Sequence, residues 1–152
     1  MAADRSYVEE NATELGRLRD LIDRLGDEQL AQPMDAGWTV GAVLAHVAFW
    51  DYRVVTLLEQ WGPDGNGPSP TDAEAATDWI NDANKPIFLA IPPRVAARIA
   101  LDAAEAADRA VAEMSDDLLG KNELTGLIIS PLRAEHRREH VDELEQLFSR
   151  SM

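Results

Sequence analysis

The sequence predicts an all-α protein, most simply four long helices packed as a bundle, with an extra short helical segment after a Gly/Pro-rich loop. Three observations carry that expectation. Every long run of spaced apolar residues repeats at three or four positions, the period of one helix face. No stretch shows the apolar/polar alternation of a half-buried strand. Residues that cap helices stand at the start of several of the runs. The length, 152 residues, fits one domain spanning 1–152.

The first run, residues 6–25, puts Val8, Leu15, Leu18, Ile22 and Leu25 on one face, and Gly26 is expected to close it at positive φ. Residues 27–38 lose the period and read as a connection from which Leu30, Met34 and Trp38 dock on the core. Thr39 is the expected N-cap of a second helix over residues 40–61. Its inner stripe holds Val43, His46, Val47, Trp50, Val54, Leu57 and Trp61. Residues 62–70 contain three Gly and three Pro in nine positions, a crossover loop in the plain reading and a lid in the functional one. Thr71, Asp72, Ala73 and Glu74 have the pattern of a capping box, opening a helix through Trp79 and Ile80 that Pro86 should kink or end.

Pro92 and Pro93 precede an Ala-rich helix over residues 94–114, with Val95, Ile99, Ala103, Ala106, Ala110 and Met114 expected inward. Residues 115–118 suggest a short turn, and residues 120–129 fit either a buried loop or a short helix. Ser130 followed by Pro131 is a strong helix start, because Ser caps free N–H groups and Pro fits the first helical position. The last helix should reach about residue 149 with Leu132, His136, His140, Leu144, Leu147 and Phe148 facing in, and Arg133, Glu135, Arg138 and Glu139 on its other faces.

Composition bounds the function. Apolar residues make 45% of the chain and charged residues 28%, a soluble globular profile, and no run approaches the roughly 18 consecutive apolar residues of a membrane span. The N-terminal stretch has no apolar core of a secretory signal, so a cytoplasmic location is expected. With 14 Lys+Arg against 28 Asp+Glu the net charge is −14, a field that repels phosphate backbones; nucleic acid is not an expected partner. The absence of cysteine excludes disulfides, thiolate zinc sites, Fe–S clusters and cysteine nucleophiles. Any metal must be held by His, Asp or Glu.

The chain has three histidines, and all three fall on inner stripes. His136 and His140 are four apart on one helix, so their side chains neighbour each other about 5–6 Å apart at Cβ. His46 sits inward on the second helix. Buried imidazoles are costly without partners. A divalent ion held by three nitrogens explains all three together; a buried polar cluster is the alternative. Three protein ligands leave a position open, as in catalytic rather than structural zinc sites. Trp50, four after His46, is a candidate pocket wall, and Trp79, Asn81 and Asn84 are weaker candidates for substrate binding, with core, capping and turn roles as the ordinary alternatives. Glu143, three after His140, is the candidate carboxylate helper, and Arg53, seven after His46, the candidate anion binder; a solvated charge and a structural ion pair are their alternatives.

The stretch Gly37-Trp38-Thr39-Val40-Gly41-Ala42-Val43-Leu44-Ala45-His46-Val47 resembles the start of the second helix of the DinB/YfiT-like superfamily. Likewise Glu135-His136-Arg137-Arg138-Glu139-His140-Val141-Asp142-Glu143-Leu144-Glu145 is similar to its final helix. The resemblance covers most of the chain and implies a metal-binding four-helix bundle with ligands His46, His136 and His140, related to the N-terminal domain of mycothiol-dependent maleylpyruvate isomerase. It further implies chemistry with a low-molecular-weight thiol such as mycothiol or bacillithiol, by a transferase or isomerase, and a homodimer, for which Trp61 and Trp79 near element ends are candidate contacts. Zinc is the expected ion, with nickel or iron as alternatives. A thiol on a divalent ion is deprotonated outright, and this chain has no sulfur nucleophile of its own. Two other readings stand beside it: a metal-dependent hydrolase of an amide or ester, and a non-catalytic bundle that binds metal or a small molecule.

Overall fold

The computed structural model describes residues 3–62 and 77–149, with the side chains of residues 77–79 outside the described set. The capping box at 71–74 and all of the 62–70 loop except Gly62 therefore lie outside the described residues. Among those described there are seven α-helices and no strand: α1 Tyr7–Arg24, α2 Asp27–Leu30, α3 Val40–Trp61, α4 Thr77–Ala90, α5 Pro93–Ala112, α6 Asp116–Leu124 and α7 Ala134–Ser149. The four long helices α1, α3, α5 and α7 build the expected bundle. α3 packs most extensively on α5, α1 lies against both α5 and α7, and α7 returns to α3.

Local chemistry explains most element ends. Thr39 caps α3 as expected, its hydroxyl accepting from the Ala42 N–H at 3.1 Å, and Gly62 ends that helix at φ 71°. Pro93 opens α5, where its missing N–H costs nothing. Ser115 caps α6, accepting from the Leu118 N–H, so the expected turn is the first turn of a nine-residue helix. Gly26 does something other than expected. Its φ is −82°, and it starts α2, its N–H donating to the Gln29 side chain at 2.9 Å. α4 continues through Pro86 to Ala90, because Pro86 and the Asp82 carbonyl it deprives of a partner lie on the solvent side.

Three apolar clusters fill the interior. The largest joins Leu18, Ile22, Leu30, Leu44, Val141 and Leu144 to the alanines of α5. A second gathers Tyr7, Val54, Trp61, Val111 and Ile129 at the other end. The third, Ala42, Ala45, Phe88 and Ala96, lies under the candidate site. Each fully buried Leu or Val contributes about 1.5–3 kcal/mol relative to exposure. α3 is long and apolar enough by composition to cross a membrane, yet 61% of that window is buried inside the protein, as befits the central helix of a bundle.

Two predicted faces are met in part. On α5, Ala103 and, just beyond the helix, Met114 are buried as expected, but Ala96, Ala97, Ala100, Ala104, Ala107 and Val111 are the other buried residues, while Val95, Ile99, Ala106 and Ala110 of the expected stripe are only half-buried. With alanine at so many positions several stripes are equally apolar, and the one chosen lets backbones approach: a Cβ on Gly41 would lie 2.9 Å from Pro93 Cα. On α1 and its C-cap, Leu18, Ile22 and Leu25 are buried as expected, while Val8 is 39% exposed and, in the first two turns, Tyr7, Asn11 and Glu14 point in. The last two are there for polar bonds. Asn11 donates to the Pro131 carbonyl at 2.8 Å and accepts the Ala134 N–H at 2.9 Å. α7 thus starts at Ala134, capped from α1, three residues after the Ser130–Pro131 start expected from local sequence.

Candidate metal centre

α3 and α7 bring the three histidines together. His46 lies on α3 among Ala42, Ala45 and Ala48, whose small side chains leave room for an imidazole, and His136 and His140 occupy successive turns of α7. His46 Nε2 is 3.1 Å from His136 Nε2. One ligand nitrogen from each ring lies within 4.8 Å of the other two. The rings meet edge to face with centroids 4.7–4.9 Å apart.

Electrostatics keeps His46 and His136 neutral. Burial, helped by repulsion from His140, pushes His46 down to about 4, although the nearby Asn81 side chain opposes it. Burial, then the two other histidines and the cations Arg133 and Arg137, push His136 down to about 3. Neutral imidazoles are what a divalent ion requires. His46 Nδ1 is buried without a hydrogen-bond partner, so the trio is not satisfied as a self-contained polar cluster. The donor set fits a borderline ion such as Zn²⁺.

The histidines open onto a cavity of about 660 Å³. His46 and His140 line it. Pro33, Met34, Trp38, Val43 and Leu147 form its apolar wall, and Trp38 meets the His46 ring edge to face. Its other polar side chains are Asp35, Asn81, Glu143 and Gln146.

The remaining sequence candidates divide. Glu143 lines the cavity, but its carboxylate faces His140 Nδ1 at 3.4 Å, which orients that ring. Asn81 lines the cavity and is held by Trp50, whose indole N–H donates to Asn81 Oδ1 at 3.0 Å. Trp50 is thus a support for Asn81 and does not line the cavity itself. Asn84 is half-buried one turn further along α4 and does not line it either. The Trp79 side chain lies outside the described residues. Arg53 does not line the cavity: it donates to the Ile128 carbonyl and lies 5.9 Å from the Trp50 ring.

Sequence reasoning missed an ionic network beside the histidines. Arg133, expected on an outer face, is buried and donates to Asp51 at 2.9 Å. Arg137 is 1% exposed; it reaches Asp51 at 3.5 Å and Asp108 through two bonds of 2.9 and 3.0 Å. Burial pushes the Asp51 carboxyl up, and the two guanidiniums pull against that. A signal existed. Asp51 shares the stripe of Val47 and Val54, and Arg137 that of Ala134 and Val141, so periodicity places both charges inside with each other as partners.

The family model described as mycothiol maleylpyruvate isomerase N-terminal domain matches residues 12–145, a span that includes all three histidines. Neither the search of curated proteins nor that of solved structures finds a match.

Proposed function

This chain belongs to the family of the mycothiol maleylpyruvate isomerase N-terminal domain, within the DinB/YfiT-like superfamily, and from that premise we propose that it is a divalent-metal-dependent enzyme using a low-molecular-weight thiol, a transferase or an isomerase of thiol adducts. The observation that carries the reading is the trio His46, His136 and His140, mutually within 4.8 Å and open on one side to a cavity. These three residues would hold the ion, zinc by preference. When bound, it supplies positive charge that makes a coordinated thiol a thiolate at neutral pH, in a chain with no cysteine to serve instead.

The chain's own groups do the rest. His46 and His136 present lone pairs because burial denies them protons. Glu143 fixes the His140 ring from behind. Trp38, Met34 and Leu147 exclude water from one side of the cavity. Asn81, clamped by Trp50, offers a polar contact for a substrate. Glu143 is engaged with His140, which weakens the hydrolase reading because a hydrolase needs a free carboxylate to move the proton of water. The partner is then a small molecule in the cytoplasm. Homodimerisation, expected from Trp61 and Trp79, loses the first, which is buried at 7% exposure; Ile87 and Leu89 on α4 are the exposed apolar residues that would take its place.

Metal analysis of the purified protein, followed by cobalt substitution and titration with mycothiol, bacillithiol and glutathione analogues, tests the reading. A sulfur-to-metal absorption band that disappears in His46→Ala supports it. Absence of any band with every thiol overturns it in favour of metal-dependent hydrolysis or simple binding, and absence of bound metal overturns both enzymatic readings.

A further inference from the structure

Four ion-paired side chains lie beside the histidines, and the proposed chemistry uses none of them. On α7, Arg133 precedes His136 by three positions and Arg137 follows it directly. Arg133 donates to Asp51 at 2.9 Å. Arg137 reaches the same carboxylate at 3.5 Å and grips Asp108 of α5 through two bonds of 2.9 and 3.0 Å. Asp51 is five positions after His46 on α3, so Asp51 and both arginines share a helix with a candidate ligand. The Arg137 and Asp51 side chains are 1% and 3% exposed. Arg138, also on α7, is turned away to Glu14 of α1.

Stability alone does not account for this arrangement. Taking opposite charges out of water costs about as much as their attraction returns, and well-packed apolar residues often serve a core as well, although breaking such a pair is costly. The neighbourhood supplies a reason. Three imidazoles contribute no negative charge to an ion held between them. Besides burial and the other two histidines, Arg133 and Arg137 oppose positive charge on His136. A dication at that ring would meet the same repulsion on twice the charge. Glu143, the carboxylate facing His140, is half exposed and screened by water, whereas Asp51 is buried and acts through a medium that screens little.

We propose that Asp51, seconded by Asp108, is a positioning residue of the histidine centre that acts by charge: its carboxylate cancels the guanidinium charge beside His136 and so allows the three nitrogens to take a divalent cation. With both aspartates the four-charge cluster is neutral, and the loss of Asp51 leaves one net positive charge next to the ligands. The inference rests on the reading of His46, His136 and His140 as metal ligands, and it names what sets their affinity from outside the ligand set.

Affinity for Zn²⁺ alone tests this, read by competition with a chromophoric chelator on the full chain stripped of metal, at neutral pH and under conditions where circular dichroism shows each variant folded. Asp51→Asn should weaken Zn²⁺ binding about tenfold or more, the scale of one uncompensated charge near a dication. Asp51→Asn combined with Arg133→Met removes the cation left behind and should restore affinity to within about threefold of the unaltered protein. Arg133→Met alone leaves Asp51 to Arg137 with a net negative charge, so it should bind Zn²⁺ more tightly; it carries the test should Asp51→Asn fail to fold. Leu118→Ala removes core at the other end of the bundle without touching a charge, and lost stability there should leave Zn²⁺ affinity within about threefold. An Asp51→Asn protein that binds Zn²⁺ undiminished, a double variant as weak as Asp51→Asn, or an Arg133→Met protein no tighter than the unaltered one overturns the proposal while the metal reading stands. No Zn²⁺ binding by the unaltered protein overturns both.

Discussion

Acid should destabilise the metal-free protein by an amount the histidine cluster sets. In the unfolded chain each imidazole titrates near 6.5. In the fold His46 is pushed to about 4 and His136 to about 3, chiefly by burial. Both folded values lie below the unfolded one, so below pH 6.5 the unfolded chain binds protons that the folded chain refuses. Stability from these two groups is therefore complete above pH 6.5 and is lost as the pH falls toward the folded values. Each proton contributes about 1.4 kcal/mol per pH unit where the difference is full, and two groups lose about 2 kcal/mol together between pH 6 and pH 5. Urea unfolding of protein stripped of metal, at half-unit steps from pH 7 to 5, measures that slope. A His46→Gln/His136→Gln variant supplies the baseline, because carboxylates elsewhere begin to protonate in the same direction. The unaltered protein should fall more steeply than the variant by about 2 kcal/mol over that unit. Parallel curves would show that the rings are solvated in solution and that the cluster is not buried as described. Saturating Zn²⁺ should displace the acid transition to lower pH, since a ligand that binds the folded state alone stabilises it.

Three further outcomes follow from the packing. Asp51→Asn leaves Arg133, 8% exposed, without its carboxylate while Arg137 keeps Asp108; the expected loss is about 3–5 kcal/mol, seen as a melting point lower by roughly 10 °C, and a loss below about 1 kcal/mol would contradict the buried pairing. Asn11→Ala strips partners from the Ala134 N–H and the Pro131 carbonyl, which should cost about 2–4 kcal/mol and speed hydrogen exchange at Ala134. Gly41→Ala gains about 1 kcal/mol of helix propensity but drives a methyl to 2.9 Å from Pro93 Cα; overpacking of about 1–3 kcal/mol should win, and a raised melting temperature would refute the close α3–α5 contact.

Much of this molecule is written in short-range chemistry. Apolar spacing of three and four, with Thr39 as a cap and Pro92 and Pro93 as a break before the Ala-rich run, determines α3 to the residue and α5 to within two, because each signal acts within one turn. The same periodicity places His46, His136 and His140 inward before any tertiary contact is known. What only the folded chain decides depends on partners distant in sequence. α7 begins at Ala134 rather than at Pro131 because Asn11, 123 residues away, takes its first N–H. Alanine at many positions of α5 leaves its inward face undetermined until α3 approaches. Asp51 and Arg137 are tolerable inside only as a pair across two helices, a condition that neither segment carries alone. Glu143 and Arg53 looked equivalent as charged neighbours of histidines, and the backbone path alone turned one toward His140 and the other toward the Ile128 carbonyl. Helix periodicity fixes the direction of a side chain about its own axis, whereas its partner is set by how the helices pack, and packing depends on the whole chain at once.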